Sequence, residues 1–165
     1  MTTLLDRIES MRTPRVPDPR VCSIDAALKV IGEKWALLAV REIGMGQHRF
    51  DDIVFNTGAS RDILAARLKS LEEAGVVRRE LYETKPERYE YHLTEAGRQL
   101  FVVLHLIRDW GDRYVRTDPE NVVSFYHDCG ARLHPVLRCE ECGEELDAVN
   151  VHGDRDVHRS EVVAV

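Results

Sequence analysis

Long apolar runs are missing from this 165-residue chain: no stretch approaches the roughly 18 consecutive apolar residues that a membrane-spanning helix needs. The opening MTTLLDRIESMRTPRVPDPR also lacks the basic start and apolar run of a secretory signal. The expectation is therefore a cytoplasmic protein of a reducing, bacterial-type compartment with no membrane partner. Cysteine is scarce, four residues in all. In a reducing compartment clustered cysteines serve more often as metal ligands or redox groups than as structural disulfides. No H-E-x-x-H and no phosphate-cradling glycine loop occur, and no nucleophile and base are evidently paired, so an enzyme is the least expected class. What is present, 44% hydrophobic and 32% charged residues, can bury a core and excludes a disordered or fibrous chain.

An excess of positive charge is missing too, since the net charge is −6. The deficit is local. Residues 118–165 hold 11 acidic against 4 basic side chains, whereas residues 1–117 hold 18 against 19. A nearly neutral body can still bind DNA if its cations share one face, so the average charge leaves that partner open, while the acidic tail is a poor match for phosphates.

Helical spacing of Leu4, Leu5, Ile8 and Met11 predicts a short N-terminal helix ended by Pro14, Pro17 and Pro19. CSIDAALKVIG predicts the next helix, with Ser23 as N-cap, a stripe of Ile24, Leu28 and Ile31, and Gly32 as stop. KWALLAVREIGMG predicts another, built on Trp35, Leu38 and Ile43, and RFDDIVFNTG a short one with Phe50, Ile53 and Val54 inward. SRDILAARLKSLEEAG carries the clearest helical signature: Ser60 as N-cap, Leu64, Leu68 and Leu71 on one face, Gly75 as stop. VVRRELYETKPERYEYHL then reads as a β-hairpin around ETKPER, with Tyr89, Tyr91 and Leu93 on one face. Thr94 opens a long helix to about Val115, apolar on more than one side through Phe101, Val103, Leu104, Leu106, Ile107 and Trp110. Helices, a hairpin and a long helix in this order make a mainly α fold with a small β-hairpin (α+β). This is the arrangement of a winged helix, in which the last short helix before the hairpin enters the DNA major groove. The surplus apolar surface of the last helix, with the N-terminal helix, suggests a dimer interface.

Cys22 before a helix, GEKWALLAVREI, RFDDI, SRDILAARLKSLEEAGVVRRELY and PERYEYHLTEAGRQL together resemble the HxlR-type winged helix-turn-helix regulators, relatives of the MarR group, over about residues 20–116. The resemblance implies a homodimeric regulator of transcription that binds double-stranded DNA. The helix from Ser60 would be the recognition helix, the hairpin the wing, and the terminal helices the dimer contact. The chain reads as an N-terminal dimerisation helix and linker (1–19), the DNA-binding domain (20–117) and, outside the family's common pattern, an acidic zinc-ribbon-like extension (118–165). A small-molecule effector is compatible with this reading but not identified by it.

On the recognition helix the leucines claim the core, which leaves Ser60, Arg61, Asp62, Ala65, Ala66 and Lys69 outward near its start. Small alanines allow close approach and contact with a thymine methyl, and an arginine can read guanine. Lys85 and Arg88, in or beside the wing, suit backbone phosphates or the minor groove. Arg67, Arg78 and Arg79 are equally suited to surface pairing with Glu72, Glu73 and Glu80. A protein-interaction adaptor is the alternative class.

Cys22 stands at a helix start, where the dipole favours a thiolate, and Arg20 is near in sequence. Some relatives are thought to sense oxidants through a cysteine at the corresponding place, so it is a candidate redox sensor, or else a small inert side chain. In the tail, Cys139 and Cys142 form a C-x-x-C-G knuckle, and His127 with Cys129 resembles half of a second. Together they suggest a structural Zn2+ site of Cys3His type. His127 has one spacer residue before Cys129 where such knuckles usually have two, so His134 and His152 are substitutes, and a Cys139–Cys142 disulfide is the competing reading.

Overall fold

The computed structural model describes residues 22–118 and 123–152, so the expected N-terminal helix and its proline linker lie outside the described residues. Five helices and one two-stranded antiparallel sheet are found among the described residues: α1 (Ser23–Ile31), α2 (Lys34–Gly44), α3 (Phe50–Thr57), α4 (Arg61–Glu73), β1 (Val77–Thr84), β2 (Glu87–Leu93) and α5 (Glu95–Tyr114). None of these helices is long and apolar enough to cross a membrane. The chain divides into two compact units after Thr94.

The first unit is built around α2, against which α1, α3, α4 and β2 pack. Its core is Ala36, Ala39, Val40 and Ile43 from α2, Ile53 from α3, Leu64, Leu68 and Leu71 from α4, and Val77 from β1. The expectation that Trp35 and Leu38 anchor α2 needs correction: both are half-buried, and the buried face runs through the two alanines. A central helix approached from several sides does better with small residues there, because they let neighbouring backbones come close. Ser23 is corrected as well. Cys22 holds the N-cap position in extended conformation, its carbonyl accepts the first helical bond from Ala26 N at 3.0 Å, and no side chain caps the helix. The stripe of α1 is exposed at Ile24 and Leu28, and α1 buries no residue.

The short turn between α3 and α4 is fixed locally. Thr57 Oγ1 donates to Ile53 O at 2.7 Å, and Gly58 sits at φ 71°, a left-handed conformation that a side chain would strain. Ala59 is buried, which anchors the turn to the core. Ser60 Oγ then accepts from Ile63 N at 3.4 Å and caps α4 as expected from its sequence.

The hairpin pairs Val77 with Leu93 through Thr84 with Glu87, with an irregularity between Leu81 and Glu83 that leaves Tyr82 unpaired in the register. Its base is closed by Thr94, whose N donates to Val76 O at 3.1 Å and whose Oγ1 donates to Gly75 O at 2.6 Å. The segment before α3 joins the sheet: Arg49 bridges Glu90, and Tyr91 N donates to His48 O at 2.8 Å.

In the second unit α5 runs from Glu95 to Tyr114 and buries only Gly97. Val102, Val103, Ile107, Trp110 and Tyr114 are exposed, while Phe101, Leu104 and Leu106 are half-buried. Beyond it, residues 123–152 form two turns of like construction. In the first, Gly130 N donates to His127 O at 2.8 Å and Tyr126 bridges Arg132; in the second, Gly143 N donates to Cys139 O at 2.8 Å and Arg138 bridges Glu145. Each turn ends on a glycine of positive φ, 83° and 73°.

Candidate nucleic-acid interface

The α3–turn–α4 pair and the hairpin hold every side chain that the sequence nominates for DNA. With Leu64, Leu68 and Leu71 at 0–1% exposure, the rotation of α4 is set by the core. Arg61, Asp62, Ala65, Ala66 and Lys69 are accordingly all exposed, along with the capping Ser60. Lys85 and Arg88 are exposed at and beside the tip of the hairpin.

Most of these cations already have partners on the surface. Arg61 Nη1 lies 2.6 Å from Asp51 Oδ1, with the guanidinium over the Phe50 ring at 4.9 Å, so its head is drawn back toward α3. Lys69 Nζ is 3.8 Å from Glu73, one turn on, and Arg88 Nε is 3.3 Å from Glu83. Donation to the Tyr82 oxygen and the charge of Glu83 push the Arg88 guanidinium further above its already high ordinary value, so it stays charged. Arg79 pairs with Glu72 at 3.3 Å and lies over Tyr89, Arg78 pairs with Glu80, and Arg67 meets Glu33 at 3.8 Å. The pairing expected for Arg67 within its own helix is thus made across to the segment before α2. Exposed pairs of this kind contribute only about 0–1 kcal/mol, so a phosphate can displace the carboxylate from Arg61, Lys69 or Arg88.

Arg49 belongs to this surface and was not nominated by the sequence pattern. Its guanidinium lies over the Tyr82 ring at 5.1 Å and its Nε is 3.4 Å from Glu90, which places a cation where the edge of the sheet meets the start of α3. The available signal was the arginine that opens the RFDDI motif, next to the helix-turn-helix. Beneath it, the His48 and His92 rings stack at 4.3 Å between centroids, and His48 Nδ1 donates to Tyr91 O at 2.9 Å. Burial first, then the charge of His48, holds the His92 imidazole below its ordinary value.

The cysteines are placed separately. Cys22 is exposed at the start of α1. In the tail, the backbone amides of Cys142 and Glu141, with the Cys142 side chain, hold the Cys139 thiol below its ordinary value. The amide of Ala131 and the His127 ring do the same for Cys129. His127 Nδ1 accepts from Cys129 N at 3.3 Å, and His134 and His152 are exposed. Among the described residues, no three histidine, cysteine, aspartate or glutamate side chains are grouped so as to hold a metal ion.

Comparison with known proteins gives this arrangement its relatives. The profile of the family described as HxlR-like helix-turn-helix matches residues 30–119. An uncharacterized HTH-type transcriptional regulator of Mycobacterium tuberculosis, Rv3095, is 42% identical over 130 residues, covering 78% of this chain and 82% of that protein. YdeP of Bacillus subtilis, another uncharacterized HTH-type regulator, is 34% identical over 56% of this chain and 73% of its own length. Among solved structures, PA1607, a candidate transcription factor, superposes with a TM-score of 0.73 at 35% identity, covering 82% of this chain and 96% of its own. The redox regulator HypR in its oxidized form matches at a TM-score of 0.54 and 31% identity, over 58% of this chain and all of its own. Transcriptional regulators of this kind are not enzymes. On its helix-turn-helix, its hairpin and a family match that spans more than half its length, the chain belongs to the HxlR-like helix-turn-helix family.

Proposed function

We propose that the protein is a sequence-specific regulator of transcription that binds a pseudo-palindromic operator as a homodimer, with α4 in the major groove and the β1–β2 hairpin against the flanking backbone. The observation that carries this reading is α4 itself: three buried leucines fix its rotation, and Arg61, Ala65, Ala66 and Lys69 are left exposed near its capped start. Operator selection from random duplexes, followed by binding titration over a range of salt, tests it. The expected result is one enriched motif with two related half-sites and affinity that falls with salt; no enrichment, or salt-independent binding, favours a protein-interaction adaptor.

The homodimer rests on apolar surface that each unit leaves uncovered, Ile24 and Leu28 on α1, and Val103, Ile107 and Trp110 on α5. Sedimentation of the intact chain, with Ile107→Asp as control, tests it. Redox response is the second reading. It is favoured by the lowered Cys139 thiol beside Cys142, by exposed Cys22, and by the likeness to a redox regulator. A structural Zn2+ on His127, Cys129, Cys139 and Cys142 is the competing proposal for the tail. It rests on the donor chemistry and on the two like turns whose amides point at sulfur; bound there, the ion would hold the turns and perform no reaction. As the side chains stand they do not form one ligand group, so metal analysis of the purified protein decides between zinc and a free dithiol.

A further inference from the structure

The second unit contains a cleft of about 230 Å3 between α5 and the segment 123–134. That is smaller than the roughly 300–1,000 Å3 of sites for drug-sized ligands, and its walls are unusually charged for its size. Arg108, Arg113 and Arg132 face it together with Asp109 and Asp112, which leaves one surplus positive charge. The pairing is uneven. Arg113 lies 2.8 Å from Asp109, and Asp109 also has the His134 ring at 3.8 Å, whereas Arg108 Nε is 3.9 Å from Asp112, beyond hydrogen-bond distance.

Arg108 is the centre of the site. Its guanidinium lies over the Phe125 ring at 4.6 Å, and Nη2 donates to Leu133 O at 3.3 Å. Nε and Nη1 are shielded from solvent and have no hydrogen-bond acceptor. Asp112 faces its charge at 3.9 Å without a hydrogen bond, so two buried donors stay unmet, which is costly. Arg132 is exposed on the same cleft and makes no ion pair among the described residues, so its donors are open to a ligand. Val123, Leu133 and Phe125 supply an apolar wall.

We propose that this cleft binds a small organic monocarboxylate, whose carboxylate bonds to Arg132 and offsets the charge of Arg108 across the cleft, and whose hydrocarbon part lies against Phe125 and Leu133. One surplus charge matches a monoanion, and Asp109 and Asp112 oppose a doubly charged phosphate at the same place. No bond to the shielded nitrogens of Arg108 is required. The site lies wholly in the second unit, so it can be tested without DNA and stands apart from the reading of α4.

The test is calorimetric titration of the intact protein with phenylacetate and hexanoate, set against phenylacetamide, hexanamide and inorganic phosphate, with amide NMR shifts to locate the site. The expected result is saturable binding of one carboxylate per chain, with shifts at Phe125 and His134. Both the neutral amides and the Arg132→Gln variant should bind at least about tenfold more weakly, the scale of one charge-assisted hydrogen bond. Arg108→Lys, which keeps the charge but loses the flat stacking on Phe125, should also weaken binding while leaving the phosphate response unchanged. Equal binding of amides and acids, tighter binding of phosphate, an unchanged Arg132→Gln variant, or no binding of either acid at millimolar concentration would each overturn the proposal.

Discussion

The two units of this chain solve the problem of holding together in opposite ways. Up to Thr94, helices and hairpin close over a shared core in which Ala39, Val40, Ile53, Leu64 and Leu71 have no exposure at all. From Glu95 onward the only buried residue among those described is Gly97, and order rests on hairpin-like turns, ion pairs and an arginine lying over a ring. Hydrophobic burial of about 25 cal/mol per Å2 supplies most folding free energy, so the first unit has its own source of stability. The second has exposed Ile107, Trp110 and Tyr114 and needs cover or a cross-link from elsewhere. A second copy, a metal or a disulfide would each supply it, and these are the proposals the tail attracts.

The sharpest way to break this contrast is to open a hole in the first core. Leu68→Ala, at 1% exposure, should cost roughly 2–5 kcal/mol in denaturant unfolding followed by the Trp35 signal. An equivalent truncation in the second unit, Val149→Ala at 79% exposure, should fall within about 0.5 kcal/mol; equal losses at the two sites would end the comparison.

Next comes the DNA face. Arg61→Ala should weaken binding to the selected operator by about 1–3 kcal/mol and relax preference at one base position, read by anisotropy on matched and mismatched duplexes. Loss that is uniform across sequences would instead make Arg61 a phosphate contact. Ser60→Ala removes the cap of α4 and should cost about 0.5–2 kcal/mol of stability in the first unit alone. Lys85→Ala should leave preference intact and reduce the slope of log affinity against log salt by about 1.

The smallest expected effect concerns pH, and each unit has a histidine to report it. Burial lowers the pKa of His92 in the first unit and of His105 in the second. The unfolded chain therefore takes up protons at higher pH than the folded one. Stability contributed by the neutral rings is present above the ordinary histidine value of 6.5 and is lost as pH falls below it. His92→Gln should flatten that acid-side loss for the first unit, measured as midpoint denaturant concentration at pH 7 and pH 5.5. An unchanged slope would show that His92 is not the group responsible.

Much of the first unit was legible in the sequence because its physics is periodic. Ser60, Leu64, Leu68, Leu71 and Gly75 carry cap, face and stop within one helix, and the turn chemistry of ETKPER lies between two alternating strands; each signal is local. Trp35 misled as an anchor because large aromatics look like core residues. Burial on α2 depended on how many neighbours surround it, which only the assembled unit reveals.

The second unit was legible as chemistry and not as placement. The C-x-x-C-G knuckle and the half-knuckle at His127 and Cys129 are each found as a turn closed on a glycine of positive φ. Spacing along the chain cannot say whether two turns share one point in space, since that depends on backbone between them that has little core to fix it.

By itself, then, the sequence determined the order of elements, the buried face of α4 and hence which of its side chains stay exposed, because hydrophobic period and capping act within a few residues. Only the tertiary structure decided that Arg61 is drawn back onto Asp51, that Arg49 joins the same surface over Tyr82, and that Arg108, Phe125 and Arg132 border one cleft. Those juxtapositions join residues far apart in the chain, and they follow from how helices and turns pack, which no local pattern records.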